Sequence, residues 1–400
     1  MGTRYFDYMA TNPLRPEALE AMMPFFKESF GNPLSLYELG QTAKKALEEA
    51  RWKVAGLINA RPPEIIFTAS GAEANNFAVR GLAAAHTKKG RHIVVSRMDH
   101  HSVLNPARVL EKEGFAVTYL PVDKFGLVDP EALEKAVTDE TSLVSIIHAS
   151  PEVGTVEPIA ELARIAKNKG ALFHTDAVAS AGYLPIDVDA LGVDALSLSA
   201  HEFYGPKGAG ALYLRSGTRI IPLIYGGIQE NGRRAGTENV PAIVGMGRAA
   251  ELTAEELPRR AAGLSALRDR LISGTLEKIK NIQLTGHPSN RLPGHASFCV
   301  EFIEGEAMLL MLQAKGIYAA SGSACSSKAL KASPVLLSMG ISAQLAQGSI
   351  VFSLGMENDV EDIDYTLGQF PAAVSRLREI SPYAGGWGGI KKEDSCIPKN

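Results

Sequence analysis

Short apolar runs at residues 64–68, 92–96, 115–122, 143–148, 171–176, 195–199 and 210–214 follow one another through the first half of the chain. Most are separated by stretches with helical spacing, such as 130–137 and 160–168. Alternation of this kind dictates an α/β fold, a mainly parallel sheet with helices on both faces and right-handed crossovers between strands. The run at 143–148 is largely apolar, as is typical of a central parallel strand. Ligands of such sheets sit beyond the carboxyl ends of the strands, and that is where His100, Asp176 and the pair His201-Glu202 fall.

Four hundred residues, 46% of them hydrophobic, suffice for more than one core. The expected division is a large domain over 16–257, a smaller α+β domain built from 1–15 with 258–383, and a flexible tail over 384–400 that carries Cys396. In the smaller domain the patterns predict a helix from Pro258 to Lys278, separate from one that starts at Val240, then a strand at 296–302 and a closing helix at 359–378. Forty-one basic against forty-four acidic residues give a net charge of −3. That balance argues against nucleic acid or an anionic membrane as partner. No run of apolar residues is long enough to span a bilayer, and the first residues lack a signal-peptide layout, so a soluble, cytoplasmic protein is expected. Cys299, Cys325 and Cys396 are odd in number and far apart, which fits neither a disulfide framework nor a zinc motif. Cys299 lies in an apolar strand and reads as core.

Residues 194–213 carry the most specific signal. A strand ending in Ser-Leu-Ser-Ala-His-Glu-Phe-Tyr-Gly-Pro-Lys-Gly-Ala-Gly-Ala-Leu-Tyr resembles the cofactor-lysine signature of the cysteine desulfurases. These form a branch of the class V aminotransferase family, with the fold type I of pyridoxal 5'-phosphate (PLP)-dependent transferases. The resemblance runs from about Tyr5 to Pro382. It implies PLP as cofactor, conversion of L-cysteine to L-alanine with formation of a persulfide, a homodimer, and an iron–sulfur scaffold protein or another sulfur acceptor as partner. The family's PLP lysine follows the histidine directly, and here that position is Glu202. A carboxylate has no amine to condense with an aldehyde. Lys207 belongs to the motif but is not the Schiff-base residue.

Other pocket positions follow from the same resemblance. His100 matches the histidine that stacks on the cofactor ring, although it also reads as a cap for the helix starting near Ser102. Asp176 matches the partner of the pyridinium nitrogen, or it caps the turn that follows. Ser199 and His201 match the motif around the lysine, and Thr237, in the loop 226–237, matches a contact to the partner subunit's cofactor; the alternative for that loop is a solvated basic turn. The turn holding Gly71 and Ala72 enters a helix N-terminus and matches the phosphate site, with an ordinary strand-to-helix turn as the alternative. Cys325, in Ser-Gly-Ser-Ala-Cys, matches the mobile-loop cysteine that accepts sulfur. Against these stand Ala72, Pro151, Ala179 and Val351, where the family carries the phosphate hydroxyl, two donors to the phenolic oxygen and the substrate-carboxylate arginine.

One charge-assisted hydrogen bond is worth about 1.5–3 kcal/mol, so loss of an imine and several such contacts outweighs what Asp176 and a backbone cradle supply. Five changes in one pocket read as natural divergence rather than a single knockout. Three functions are compatible with the pattern. The first is a desulfurase-like protein of sulfur transfer and iron–sulfur cluster assembly, unable to run the usual PLP cycle, with Cys325 as sulfur carrier or as ligand of a shared cluster. The second is an enzyme holding PLP or its amine form non-covalently and acting on cysteine or a similar amino acid, with His201 or His100 as base. The third is a partner-binding subunit without chemistry.

Overall fold

The computed structural model describes residues 2–322 and 332–382. Cys325, Cys396 and the expected tail lie outside the described residues. The chain enters through a short strand, β1 (Arg4–Tyr5). The alternating region then forms β2 (Ile65–Thr68), β3 (His92–Ser96), β4 (Ala116–Leu120), β5 (Thr141–Ile147), β6 (Leu172–Asp176), β7 (Ala195–Ser199) and β8 (Gly210–Leu214). They make one seven-stranded sheet in the order β2-β8-β7-β6-β5-β3-β4. The neighbours from β7 through β4 are parallel, and β8 runs antiparallel to both β7 and β2. The expected mainly parallel α/β sheet is therefore present. Every residue of β5 is buried, as its apolar composition requires of a strand covered on both faces.

A second, antiparallel sheet joins β9 (Ile282–Leu284), β10 (His295–Val300) and β12 (Ser349–Ser353) in the order β12-β10-β9. The short strand β11 (Ile317–Tyr318) pairs in parallel with β1, and the Ser353 N–H donates to the Phe6 carbonyl at 2.8 Å. The first residues of the chain are thus built into its last third, and Phe6 shares an apolar core with Phe298, Phe352 and Phe370.

The two helices expected around Pro258 are one. A helix runs without interruption over Val240–Lys278, with Pro258 inside it. A proline there removes one backbone donor and crowds the preceding turn. Packing outweighs that cost: Ile243, Met246 and Ala250 sit in the core of the large sheet, and Leu264 and Leu271 in the core shared with Phe6. A helix with both ends buried in separate cores is kept straight by tertiary contacts rather than by propensity.

Candidate functional site

The strand order reverses between β5 and β3, which opens a crevice at their carboxyl ends. Asp99 closes the base of it. Its Oδ2 accepts the Ser96 N–H at 2.7 Å and its Oδ1 the Ile147 N–H at 2.6 Å, so one buried carboxyl ties the ends of β3 and β5 together. Burial, the first cause, pushes this group well above the usual carboxylate range, while those two N–H bonds oppose the shift.

His100 follows, and its side chain does act as the cap of the helix His101–Lys112. Nδ1 accepts the Ser102 backbone N–H at 3.2 Å and lies 2.7 Å from Ser102 Oγ. A backbone amide can only donate, so Nδ1 is the acceptor in that bond. Asn75 Nδ2 donates to Ser102 Oγ at 2.8 Å and to Asp176 Oδ2 at 2.7 Å. The two expected pocket residues, His100 and Asp176, are thereby linked through Ser102 and Asn75. Neither linker stood out in the sequence. The signal for Asn75 was its place one helical turn after Gly71, which puts both on one face.

Asp176 ends β6, and of the alternatives considered for it the cap of the following turn is present. Oδ1 accepts the Val178 N–H at 3.0 Å, which caps the turn, while Oδ2 is held by Asn75 inside the crevice. Desolvation raises it above the ordinary value, against the pull of the Val178 N–H, His100 and Asn75.

The turn after β7 is a short 3-10 helix, Ala200–Phe203, and it turns Glu202 inward. Glu202 is 4% exposed, and its Oε2 has no hydrogen-bond partner. Its Oε1 lies 3.4 Å from His201 Nδ1. Burial raises the Glu202 carboxyl well above 4.5, followed by the negative charges of Asp176 and Asp7, with Lys207 opposing. Burial likewise lowers the His201 imidazole, with Lys207 adding to the shift. The Lys207 ammonium donates to the Asn12 carbonyl at 3.0 Å, and the Asn12 side chain donates to the His201 carbonyl at 3.0 Å, which fixes the turn against the N-terminal segment. Ser199, 1% exposed, also has an unpartnered Oγ.

Gly71 lies against this strand end. A methyl group built on it would come 2.5 Å from Val178 Cγ2 and 3.1 Å from Ser199 Cβ, so only glycine allows the approach. Ala72 follows it in the helix Gly71–Asn76. The N-terminus of that helix is already capped by its own residues, Ser70 Oγ accepting the Glu73 N–H at 3.1 Å and Glu73 Oε2 the Ala69 N–H at 2.9 Å.

Thr237 lines a cavity with Thr68, Ala69, Glu230, Arg234 and Glu238, beside that turn. Its loop is largely exposed, Thr237 included, but it is anchored at two points. Glu230 is buried and accepts from Arg51 Nη1 and Nη2, each at 2.8 Å, and from the Phe67 N–H at 2.8 Å, while Arg234 Nε donates to Glu73 Oε1 at 2.9 Å. Pro151 offers its carbonyl to His295 Nε2 at 2.9 Å. Ala179 is buried, and Val351 pairs backbone to backbone with Ala320 beside the segment that leads to Cys325. Cys299 is buried, as expected, and burial pushes its thiol up to about 12.

A doubly covered sheet with a carboxylate at the end of β6 and a polar turn after β7 defines the class. The family described as Aminotransferase class-V matches residues 4–366, and the chain belongs to it. Within that family it is similar to the cysteine desulfurases IscS of Dictyoglomus turgidum, at 51% identity over 97% of this chain and 98% of that one, and of Methanosarcina thermophila, at 50% over 94% and 93%. Among solved structures it is similar to one described as a NifS-like protein, with a TM-score of 0.88 and 38% identity over 94% of this chain and 100% of that one.

The family implies PLP. The residues of this crevice do not fit that aldehyde held as an imine. The side chain buried at the mouth of β7 is a carboxyl, its Oε2 has no hydrogen-bond partner among the described residues, and the ammonium of Lys207 donates to Asn12.

Proposed function

We propose that this chain is a cytoplasmic sulfur-transfer protein of the cysteine desulfurase type, working in iron–sulfur cluster assembly without the usual PLP aldimine cycle. Cys325 carries the sulfur or ligates a cluster shared with a scaffold protein. As a carrier, its thiolate attacks the outer sulfur of a donor persulfide; a new S–S bond forms, the donor's S–S bond breaks, and the donor leaves as a thiolate. The chain acts as a homodimer and hands sulfur to a scaffold or another acceptor. The homodimer reading has support from large apolar side chains left in solvent, Leu36 at 92% and Tyr225 at 75% exposure among them. Among the described residues, no helix is long and apolar enough to cross a membrane.

The observation that carries this reading is the buried carboxyl of Glu202 in the turn after β7, with one oxygen unpartnered, where the resemblance places the lysine. The test is the visible spectrum of the purified protein incubated with PLP, before and after borohydride, followed by intact mass. No covalent adduct is expected. Trapping of the cofactor on any lysine overturns the reading. Cys325→Ser, prepared anaerobically, is expected to lose persulfide or cluster content, and unchanged content overturns the role given to Cys325.

A further inference from the structure

Buried polar atoms of the crevice without a hydrogen-bond partner among the described residues include Asn75 Oδ1, Ser199 Oγ, His201 Nδ1 and Glu202 Oε2, and each of them can accept a hydrogen bond. Asn75 is 1% exposed, and its amide nitrogen is spent on Asp176 and Ser102, while its Oδ1 has no partner. That oxygen is an acceptor only. Glu202 Oε2 has no partner either, and once ionised it is an acceptor only. Ser199 Oγ, buried on the neighbouring strand and likewise unpartnered, accepts or donates as required.

These atoms come from three elements that meet at one place. Asn75 lies one helical turn after Gly71, and Gly71 abuts both Val178 and Ser199. Asp176 pairs in register with Ser197, two residues before Ser199 on the same face of β7. The 3-10 helix Ala200–Phe203 then carries Glu202, three residues after Ser199. A buried acceptor without a donor costs about 1–3 kcal/mol, so this set is built for a group that brings several donors. An aldehyde or an alkoxide brings none. A primary ammonium brings three and no acceptor, together with the positive charge that buried carboxyls lack.

We propose that the crevice at the ends of β6 and β7 binds its ligand through a primary ammonium group, with the Glu202 carboxylate as counter-ion and Asn75 Oδ1 and Ser199 Oγ as further acceptors. The proposal rests on the absence of an imine argued above and names the ligand class of that same site. The groups that face Glu202 are Asp176 on β6, Asp7 and Tyr5 in the N-terminal segment, Tyr183, His201 and Lys207. Of these only Lys207 is a fixed cation, and its ammonium is held by Asn12. Binding of an ammonium therefore expels a proton from Glu202, and affinity rises with pH until the ligand's own ammonium is lost.

Three probes share a ring and a phosphate and differ in one substituent: pyridoxamine 5'-phosphate, pyridoxine 5'-phosphate and pyridoxal 5'-phosphate. Titration calorimetry of the full chain is expected to show the amine bound at least about tenfold more tightly than the alcohol or the aldehyde, about 1.4 kcal/mol. The amine's advantage is expected to grow between pH 6 and pH 8. In Glu202→Gln, with its fold checked by circular dichroism, the advantage disappears; in Glu202→Asp, which keeps a carboxylate, it persists. Equal binding of amine and alcohol, binding of neither, or an advantage that survives Glu202→Gln overturns the proposal. A borohydride-stable lysine adduct of the aldehyde, read by mass rather than affinity, instead overturns the reading beneath it.

Discussion

Arg51 and Glu230 stand 179 positions apart in the chain and meet as a buried, two-bonded ion pair, with a third bond from Glu230 to the backbone of β2. Removing one member of such a pair leaves the other charge buried alone, which costs about 3–5 kcal/mol. Arg51→Leu is therefore expected to lower unfolding stability by about that amount, measured by urea titration, and to loosen the loop that carries Thr237; a loss under about 1 kcal/mol would mean that water reaches Glu230. Glu202 calls for the opposite kind of test, since there one oxygen of the native carboxyl is already without a hydrogen-bond partner among the described residues. Glu202→Lys is expected to take up PLP as a borohydride-trappable adduct yet to release no alanine from cysteine, because Val351 and Pro151 still offer no side chain to a substrate carboxylate or a phenolic oxygen. Appreciable turnover in this single variant would show that those two positions matter less than their chemistry implies.

At the scale of elements, the turn Ser70–Gly71 reaches the site only because Gly210, the first residue of β8, lets it pass. A methyl group built there would lie 2.5 Å from the Ser70 carbonyl carbon and 2.9 Å from the Leu198 oxygen, both backbone atoms with little freedom to move. Gly210→Ala is expected to cost about 1–3 kcal/mol by overpacking and to weaken ligand binding in the crevice; a variant with unchanged melting and affinity would disprove this tether. The strands themselves were legible from their patterns, β7 and β8 to the residue, because a doubly covered sheet demands apolar runs of strand length. His100 and Asp176 were legible by place, since a strand end in such a sheet is a ligand position. The relay from His100 through Ser102 and Asn75 to Asp176 was not, because topology rather than local pattern brings those residues together. Nor was the unbroken helix through Pro258, where burial of both halves in separate cores overrode a local breaker.

For the molecule as a whole, the buried titratable groups set how stability depends on pH. Burial lowers three imidazoles furthest, His148 to about 4 and His174 and His295 to about 3. A depressed histidine contributes stability above its unfolded value of 6.5, and that contribution is lost as pH falls toward the folded value. Burial raises Glu152 to about 7 and Glu157 to about 8. A raised carboxyl contributes fully below its unfolded value of 4.5, and its contribution is lost as pH rises through the folded one. Between pH 4.5 and 6.5 the two kinds of group oppose each other. Above pH 6.5 the histidines of the unfolded chain lose their remaining protons and drop out, while the raised carboxyls, Asp99, Asp176 and Glu202 as well as Glu152 and Glu157, leave the unfolded chain binding fewer protons than the folded one. Urea midpoints are therefore expected to fall steadily from pH 6.5 to pH 8. Glu157→Gln keeps an acceptor for the Val128 N–H and removes the titration, so its midpoints should fall less steeply over the same window. Midpoints that stay level or rise between pH 6.5 and 8 in the parent protein would mean that Glu152 and Glu157 are ionised in the folded state, with water or a cation reaching them.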